Sequence, residues 1–351
     1  MLSWNERHGY GILGDLTMSS TPSLYLQDKV ILITGGTGSF GTKFVRTLLA
    51  EHNPAAVRIY SRDELKQYNL QHALGDDERL RCLIGDVRDA DRLQLAMRGV
   101  DVAIHAAALK QVPACEYNPF EAVKTNINGA ENVVAAAIAN EVPRTLALST
   151  DKAVNPVNLY GATKLAAEKI ITQGNAYAGS TPARFATMRY GNVVGSRGSV
   201  IPLFKAQARG GELTITDESM TRFWITLDQA VEFVISCLAL MQGGEVFVPR
   251  IPSMRVRDIA DALAPDATRR IIGIRPGEKI HEVLVTEDES RRARELADRY
   301  VIYPPLPSWV MTAEPLGEEL RPGFRYSSDN NDVWLDADAI RSMAEPIVAL
   351  A

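Results

Sequence analysis

Tyr160 and Lys164 stand four residues apart in Tyr160-Gly161-Ala162-Thr163-Lys164, a spacing that sets both on one face of a helix. On that face an ammonium can lower the pKa of the phenol, so that the tyrosine takes a proton from a hydroxyl group. The spacing alone is common, and an ordinary helix start is the plainer reading. Its surroundings favour the functional one. A loop upstream, Ser149-Thr150-Asp151-Lys152 closes an apolar run that reads as a strand, bringing a hydroxyl, a carboxylate and a second amine near the phenol. Asp151 and Lys152 keep two readings at this point, a proton-transfer pair or a surface ion pair.

A second constellation lies near the start. Val30-Ile31-Leu32-Ile33 runs into Thr34-Gly35-Gly36-Thr37-Gly38-Ser39-Phe40-Gly41, which satisfies both GxxGxxG and GxGxxG. Missing side chains permit a tight turn, let the backbone approach a pyrophosphate, and let the next helix point its N-terminus at the anion. A dinucleotide is therefore expected against Gly35, Thr37, Gly38, Ser39, Phe40 and Gly41. Where an NAD enzyme places an acid for the ribose 2′-hydroxyl, this chain has Ser61 and Arg62, with Lys66 one turn on. Donors and positive charge there suit a 2′-phosphate, so NADP+ is expected. The alternative makes Arg62 a solvated loop charge and Asp63 a helix cap. Asp86 and Val87 follow the third strand, placed for the adenine, although Asp86 equally suits a cap; Ala106 and Ala107 follow the fourth. His105, inside an apolar strand, reads as a core histidine.

These residues need a scaffold. Short β-branched runs at Val30-Thr34, Val57-Ser61, Arg81-Ile84, Val102-Ala106, Thr145-Ser149 and Phe185-Arg189 alternate with helical periods. The helices fall near Phe40-Glu51, Glu64-Leu74, Ala90-Met97, Pro119-Asn140 and Tyr160-Gln173. That alternation predicts an α/β fold, a doubly wound parallel sheet of Rossmann type, with strand order 3-2-1-4-5-6. It is expected over residues 28–190, as the NADP-binding domain. Beyond Tyr190, Gly and Pro break the pattern, so residues 191–351 are expected to form mainly a smaller C-terminal substrate-binding lobe, with some segments returning to the first domain. Residues 1–27 read as a flexible leader, with Met18 an alternative start.

Composition narrows the setting. The chain has 351 residues, 46% of them hydrophobic, enough for a sizeable core. A net charge of -5 gives no basic field for nucleic acid. Cys82, Cys115 and Cys237 have no metal or disulfide spacing, so no metal site and a reducing cytoplasm are expected. No apolar run reaches the roughly 18 residues of a membrane span.

With the motifs in view, the chain resembles the extended short-chain dehydrogenase/reductases, through TGGTGSFG, the strand-end Ser-Thr pair and YxxxK. More narrowly, SRDELKQ, GDVRD, STDKAVNPVNLYGATK, RYGNVVGSRGSVIP, TRFWIT and RPGEKIHE look like the soluble inverting UDP-N-acetylglucosamine 4,6-dehydratases. The likeness runs from about Asp28 to the Tyr326-Leu335 segment. Retaining dehydratases usually carry an Asp-Glu pair where Asp151-Lys152 stand, and membrane-bound relatives usually have Met in place of Tyr160.

The resemblance implies NADP+ as cofactor, UDP-N-acetylglucosamine as substrate and an internal redox cycle. Thr150 bonds the C4 hydroxyl, Tyr160 removes its proton, and Lys164 orients the ribose and supports the phenolate. Lys152, held neutral, takes the C5 proton, and Asp151 protonates the departing C6 hydroxyl. Asn192, Arg197, Arg222 and Arg275 would surround the nucleotide diphosphate and Glu278 its ribose. Lys110 and Glu116 either border the sugar or are solvated charges. A homo-oligomer is implied through the helices Pro119-Asn140 and Tyr160-Gln173. A nucleotide-sugar C4 epimerase, a retaining dehydratase and a non-catalytic NADP sensor are the competing readings.

Overall fold

The strand VILIT at Val30–Thr34 is buried along almost its whole length, as befits a parallel strand covered on both faces. The computed structural model describes residues 25–196, 199–305 and 314–347. Its centre is the sheet of β1 (Val30–Thr34), β2 (Ala56–Ser61), β3 (Leu80–Ile84), β4 (Val102–His105), β5 (Arg144–Leu148) and β6 (Arg184–Met188). These strands run parallel in the expected order; Ile31, for example, pairs with Val57 on one side and Val102 on the other. Four later strands, β7 (Val246–Pro249), β8 (Ala293–Glu295), β9 (Arg299–Ile302) and β10 (Glu318–Glu319), extend the sheet beyond β6 to ten. β7 is parallel to β6, whereas β8, β9 and β10 pair antiparallel.

Helices cover both faces. They include α1 (Ser39–Thr47), α2 (Glu64–Ala73), α3 (Ala90–Ala96), α4 (Gly129–Ala139), α5 (Leu159–Ala178) and α6 (Leu227–Leu240). On one face Phe44 of α1 and Val234 of α6 bury with Ile31 and Ile33. On the other, Val133 of α4 and Ile171 of α5 bury with Leu32 and Phe185. Each such side chain contributes about 1.5–3 kcal/mol on leaving water.

Three local differences from the sequence reading have physical causes. The helix expected from Pro119 to Asn140 contains a π-helical stretch, Val123–Asn128, within which Asn126 reaches the Leu109 N–H at 2.8 Å and its carbonyl at 3.0 Å. α5 continues past the expected end at Gln173 to Ala178, and the missing Cβ of Gly174, which would come within 2.9 Å of Val134, lets it stay packed against α4 there. Tyr25 and Leu26, assigned to the leader, are structured: Leu26 is fully buried, and the Arg144 guanidinium lies 4.8 Å over the Tyr25 ring. Met18 and the rest of that segment lie outside the described residues.

The smaller lobe holds a three-stranded sheet of Asn192–Val193, Thr221–Ile225 and Ser253–Arg255, and a strand pair of Glu212–Ile215 with Thr268–Ile271. Ile201, Phe204, Trp224, Met254, Ile259 and Ile340 form its separate core. The lobe overhangs the C-terminal ends of the strands, where a doubly wound sheet leaves a crevice.

Candidate active site

The turn after β1 shows why glycine is needed. Gly35 has φ +69°, and a Cβ there would stand 2.9 Å from the Ala107 backbone. A Cβ on Gly41 would come within 2.5 Å of Gly36, so α1 packs tightly against the loop. Gly38 caps α1 without a side chain, and the start of that helix faces a cavity of about 980 Å³. Gly35, Thr37, Gly38, Ser39, Phe40 and Gly41 line it, with Val87, Ala106 and Ala107 beside them.

Beyond β2, Ser61, Arg62, Lys66 and Asp86 border the same cavity. Asp63 caps α2 by accepting from the Lys66 N–H at 2.9 Å, and its carboxylate also holds the Lys66 ammonium. Arg62 stands 3.7 Å from Asp86, which Arg88 grips at 2.7 and 3.0 Å. Burial works against the Asp86 charge, but the Arg88 hydrogen bonds prevail and hold it below the usual carboxylate range. Gln67, which the sequence reading passed over, is buried and bonds the Ser61 carbonyl at 3.0 Å and hydroxyl at 2.9 Å, bracing this rim. Its place in SRDELKQ was the available signal.

At the other end the turn after β5 delivers Thr150 and Lys152 to the wall and α5 delivers Tyr160 and Lys164, joined by Tyr190, Asn192 and Lys110. Thr150 caps a 3-10 turn over Asp151–Ala153. Its hydroxyl donates to Asp151 Oδ1 at 2.8 Å, and the Lys152 ammonium donates to the same oxygen at 2.9 Å. Asp151 itself is fully buried behind the wall, and its Oδ2 has no hydrogen-bond partner.

The charges differ from the sequence expectation in two respects. Burial pushes the Tyr160 phenol up to about 12, while the Lys152 charge and the Thr150 hydroxyl pull it down. Lys152 is thus one cation that bears on that phenol. Lys164 instead donates to the Leu148 carbonyl at 2.7 Å, and burial lowers its ammonium to about 8. Lys152 is also not neutral in the free protein: burial favours losing the proton, but Asp151 and Glu282 outweigh it and push the pKa up.

The expected substrate contacts divide. Asn192 and Lys110 line the cavity. Glu116 instead caps α5, accepting from the Leu159 N–H at 2.6 Å. Arg222 donates to the carbonyls of Thr221, Ile280 and Lys279 at 2.7, 3.0 and 3.0 Å, fastening that backbone rather than facing the cavity. Arg275 and Glu278 pair with each other away from the cavity lining, at 3.8 Å. Arg197 lies outside the described residues. His105 is a buried core histidine bonded to Thr34 at 2.8 Å, kept neutral by burial, with its pKa at about 3. Among the described residues no cluster of His, Cys, Asp or Glu could hold a metal ion, and no helix is long and apolar enough to cross a membrane.

A glycine turn at one end of a crevice over a doubly wound sheet, with Thr150, Tyr160 and Lys164 at the other, defines a Rossmann-fold protein of the extended short-chain dehydrogenase/reductase class. Comparison with known proteins agrees with that class. The chain belongs to the family described as polysaccharide biosynthesis protein, whose profile matches residues 31–304. It is 51% identical over 315 residues to the inverting UDP-N-acetylglucosamine 4,6-dehydratase of Campylobacter jejuni, covering 87% of this chain and 94% of that one. It is 44% identical over 283 residues to a UDP-glucose 4-epimerase of Rickettsia massiliae, covering 78% and 83%. Among solved structures, Pen from Bacillus thuringiensis is similar with a TM-score of 0.84 and 39% identity, over 92% of this chain and 98% of that one. A dTDP-glucose 4,6-dehydratase from Streptomyces venezuelae, solved with NAD bound, has a TM-score of 0.64 and 26% identity, over 72% and 86%.

Proposed function

We propose that this chain is a UDP-N-acetylglucosamine 4,6-dehydratase that inverts C5 and works through NADP+. The observation that carries the reading is the Asp151-Lys152 couple bonded to Thr150, with Lys152 in the same cavity wall as Thr150 and Tyr160 and Asp151 just behind it. C4 epimerisation needs the phenol and has no use for an acid/base couple at C5. The 51% identity to the Campylobacter jejuni dehydratase supports the same choice over the 44% identity to the Rickettsia massiliae epimerase.

The glycine turn fits a dinucleotide: it lines the cavity at the start of α1, and the absence of Cβ atoms at Gly35 and Gly41 lets turn and helix pack closely enough to point the helix N-terminus there. The Streptomyces venezuelae dehydratase was solved with NAD bound, which supports a nicotinamide group here. Arg62, Lys66 and Ser61 at the cavity rim support NADP+ over NAD. When bound, the nicotinamide supplies hydride chemistry, accepting hydride from C4 of the hexose and returning it to C6 with no net consumption.

The protein's part is proton traffic. Thr150 positions the C4 hydroxyl and Tyr160 takes its proton, helped by the Lys152 charge beside it. The resulting C4 ketone acidifies the C5 proton. Lys152 reaches the cavity and Asp151 does not, so Lys152 meets that proton after passing its own to Asp151, 2.9 Å away. The proton stored on the couple then leaves with the C6 hydroxyl as water. The proton that Tyr160 took from the C4 hydroxyl balances the one delivered to the opposite face of C5, which gives the inverted 6-deoxy-4-keto sugar. Asn192 and Arg197 are assigned to the nucleotide end. Exposed Tyr117, Phe120 and Tyr177 beside or on the long helices support a homo-oligomer, and we place the enzyme in the cytoplasm.

Proton NMR in heavy water, with UDP-N-acetylglucosamine and no added cofactor, tests the reading. A new C6 methyl signal with deuterium at C5 is the expected result. A changed C4 configuration identifies an epimerase instead, and no change at all leaves a binding protein; either overturns the proposal.

A further inference from the structure

The proposed reaction asks one amine to serve in two charge states, and a second carboxylate touches that amine. Glu282 stands just before the strand Val283–Val285 and is 2% exposed. Its Oε1 lies 3.5 Å from Lys152 Nζ and 3.9 Å from Arg222 Nε. Its Oε2 lies 3.5 Å from Lys279 Nζ and has no hydrogen-bond partner. The surrounding backbone is fastened by other groups. The Glu282 N–H donates to Ser328 Oγ at 2.9 Å, and its carbonyl accepts from the Ser328 N–H at 2.8 Å. Lys279 donates to the Val154 carbonyl at 2.6 Å, and Arg222 holds the 279–280 backbone. The carboxylate is left with charge as its contribution.

We infer that Glu282 is a positioning residue for the water-loss half of the reaction, its carboxylate 3.5 Å from Lys152 Nζ holding this amine at the cavity wall to meet the C5 proton. The inference rests on the dehydratase reading. The groups facing Lys152 are Asp151 on its own turn, Tyr160 from α5, Arg222 from Thr221–Ile225, and Glu282 with Lys279 behind it. Asp151 and Glu282 retain the ammonium proton and Arg222 opposes them. A general base works deprotonated, so C5 exchange depends on how readily Lys152 gives up its proton, to Asp151 at 2.9 Å or, as pH rises, to solvent. Removing the Glu282 charge makes the amine available at lower pH.

The test compares the full chain with bound cofactor and its Glu282→Gln and Glu282→Asp variants, using UDP-N-acetylglucosamine. C4 oxidation is read from the absorbance of the reduced nicotinamide, and C5 deuterium incorporation is read by NMR across pH. The Lys152 titration is followed separately by NMR of carbon-labelled lysine without substrate. Glu282→Gln is expected to retain C4 oxidation while moving both the C5-exchange limb and the Lys152 titration down by about one pH unit, a typical effect of one nearby charge. Glu282→Asp restores part of that shift. Equal losses in C4 oxidation and C5 exchange with an unmoved titration would overturn the inference and leave Glu282 a purely structural residue. Should Glu282→Gln fail to fold, Lys279→Met, which frees the carboxylate from a competing cation, is expected to move the same titration upward; no movement overturns the inference. A parent protein that yields no C5 exchange overturns the dehydratase reading itself.

Discussion

At the phenol of Tyr160 two effects compete. Burial raises it to about 12, so it is protonated at neutral pH and needs a nearby cation to act as a base. Tyr160→Phe is expected to slow C4 oxidation by about 10²–10⁴-fold, the usual range for a lost general base, with circular dichroism unchanged. Reduced-nicotinamide absorbance after mixing with substrate measures it. Lys164 sets a limit from the other side. Burial brings it down to about 8, so its charge is present below that pH and disappears above it. Activity that depends on this ammonium therefore falls as pH rises through about 8. Lys164→Arg, which stays charged, should remove that alkaline limb from a profile of kcat/KM against pH, provided the guanidinium is seated. The i, i+4 spacing made the couple legible. It did not reveal that Lys152, from a different turn, also bears on the phenol.

One level up, α5 and the 3-10 turn Asp151–Ala153 act as a single piece. Asn158 accepts from the Gly161 N–H at 2.7 Å, Glu116 accepts from the Leu159 N–H at 2.6 Å, and the Gly161 Cα faces the Lys152 carbonyl. A methyl group at Gly161 would fall on that carbonyl, so helix and turn must separate. Gly161→Ala is expected to lower kcat/KM roughly 100-fold while the chain still folds, because sub-ångström placement governs proton transfer. Steady-state kinetics alongside a urea melt checks both parts. A second element-level device is Arg189, buried between Glu168 and Glu289 at 2.6 and 2.7 Å. Burial opposes the Glu289 charge, but Arg189 overcomes it and holds the carboxyl at about 2, below its ordinary 4.5. The unfolded chain therefore binds this proton first on acidification. Stability from the contact is complete above about 4.5 and is lost as pH falls to about 2. In urea titrations, Glu289→Gln should show a shallower loss of stability over that interval than the parent chain.

For the whole molecule, the cavity runs from the glycine turn on the sheet to Thr150 and Tyr160, with Asn192, Ile201 and Trp224 of the lobe along it. Arg62→Ala is expected to weaken NADP+ binding about 10- to 100-fold, the size of one charged hydrogen bond, and to leave NAD+ binding unchanged. Isothermal titration at constant ionic strength distinguishes the two. How far such features could be read beforehand depends on their range. The six parallel strands and their order were legible because β-branched runs and helical periods record local backbone geometry, as Val30–Thr34 and its glycine turn illustrate. The extension of the sheet through Val246–Pro249 and Arg299–Ile302 was not legible in that way, since short strands paired across long separations leave little local pattern. Charged side chains were the hardest. Glu116 and Arg222 had residue types suited to a substrate, yet one caps a helix and the other binds carbonyls. By itself, then, the sequence determined the architecture, the glycine cradle and the acid/base residue types. Only the tertiary structure decided that Asp151 is buried, that Lys152 faces the cavity and that Glu282 reaches it, because a charge takes its partner from whatever packing brings within a few ångströms.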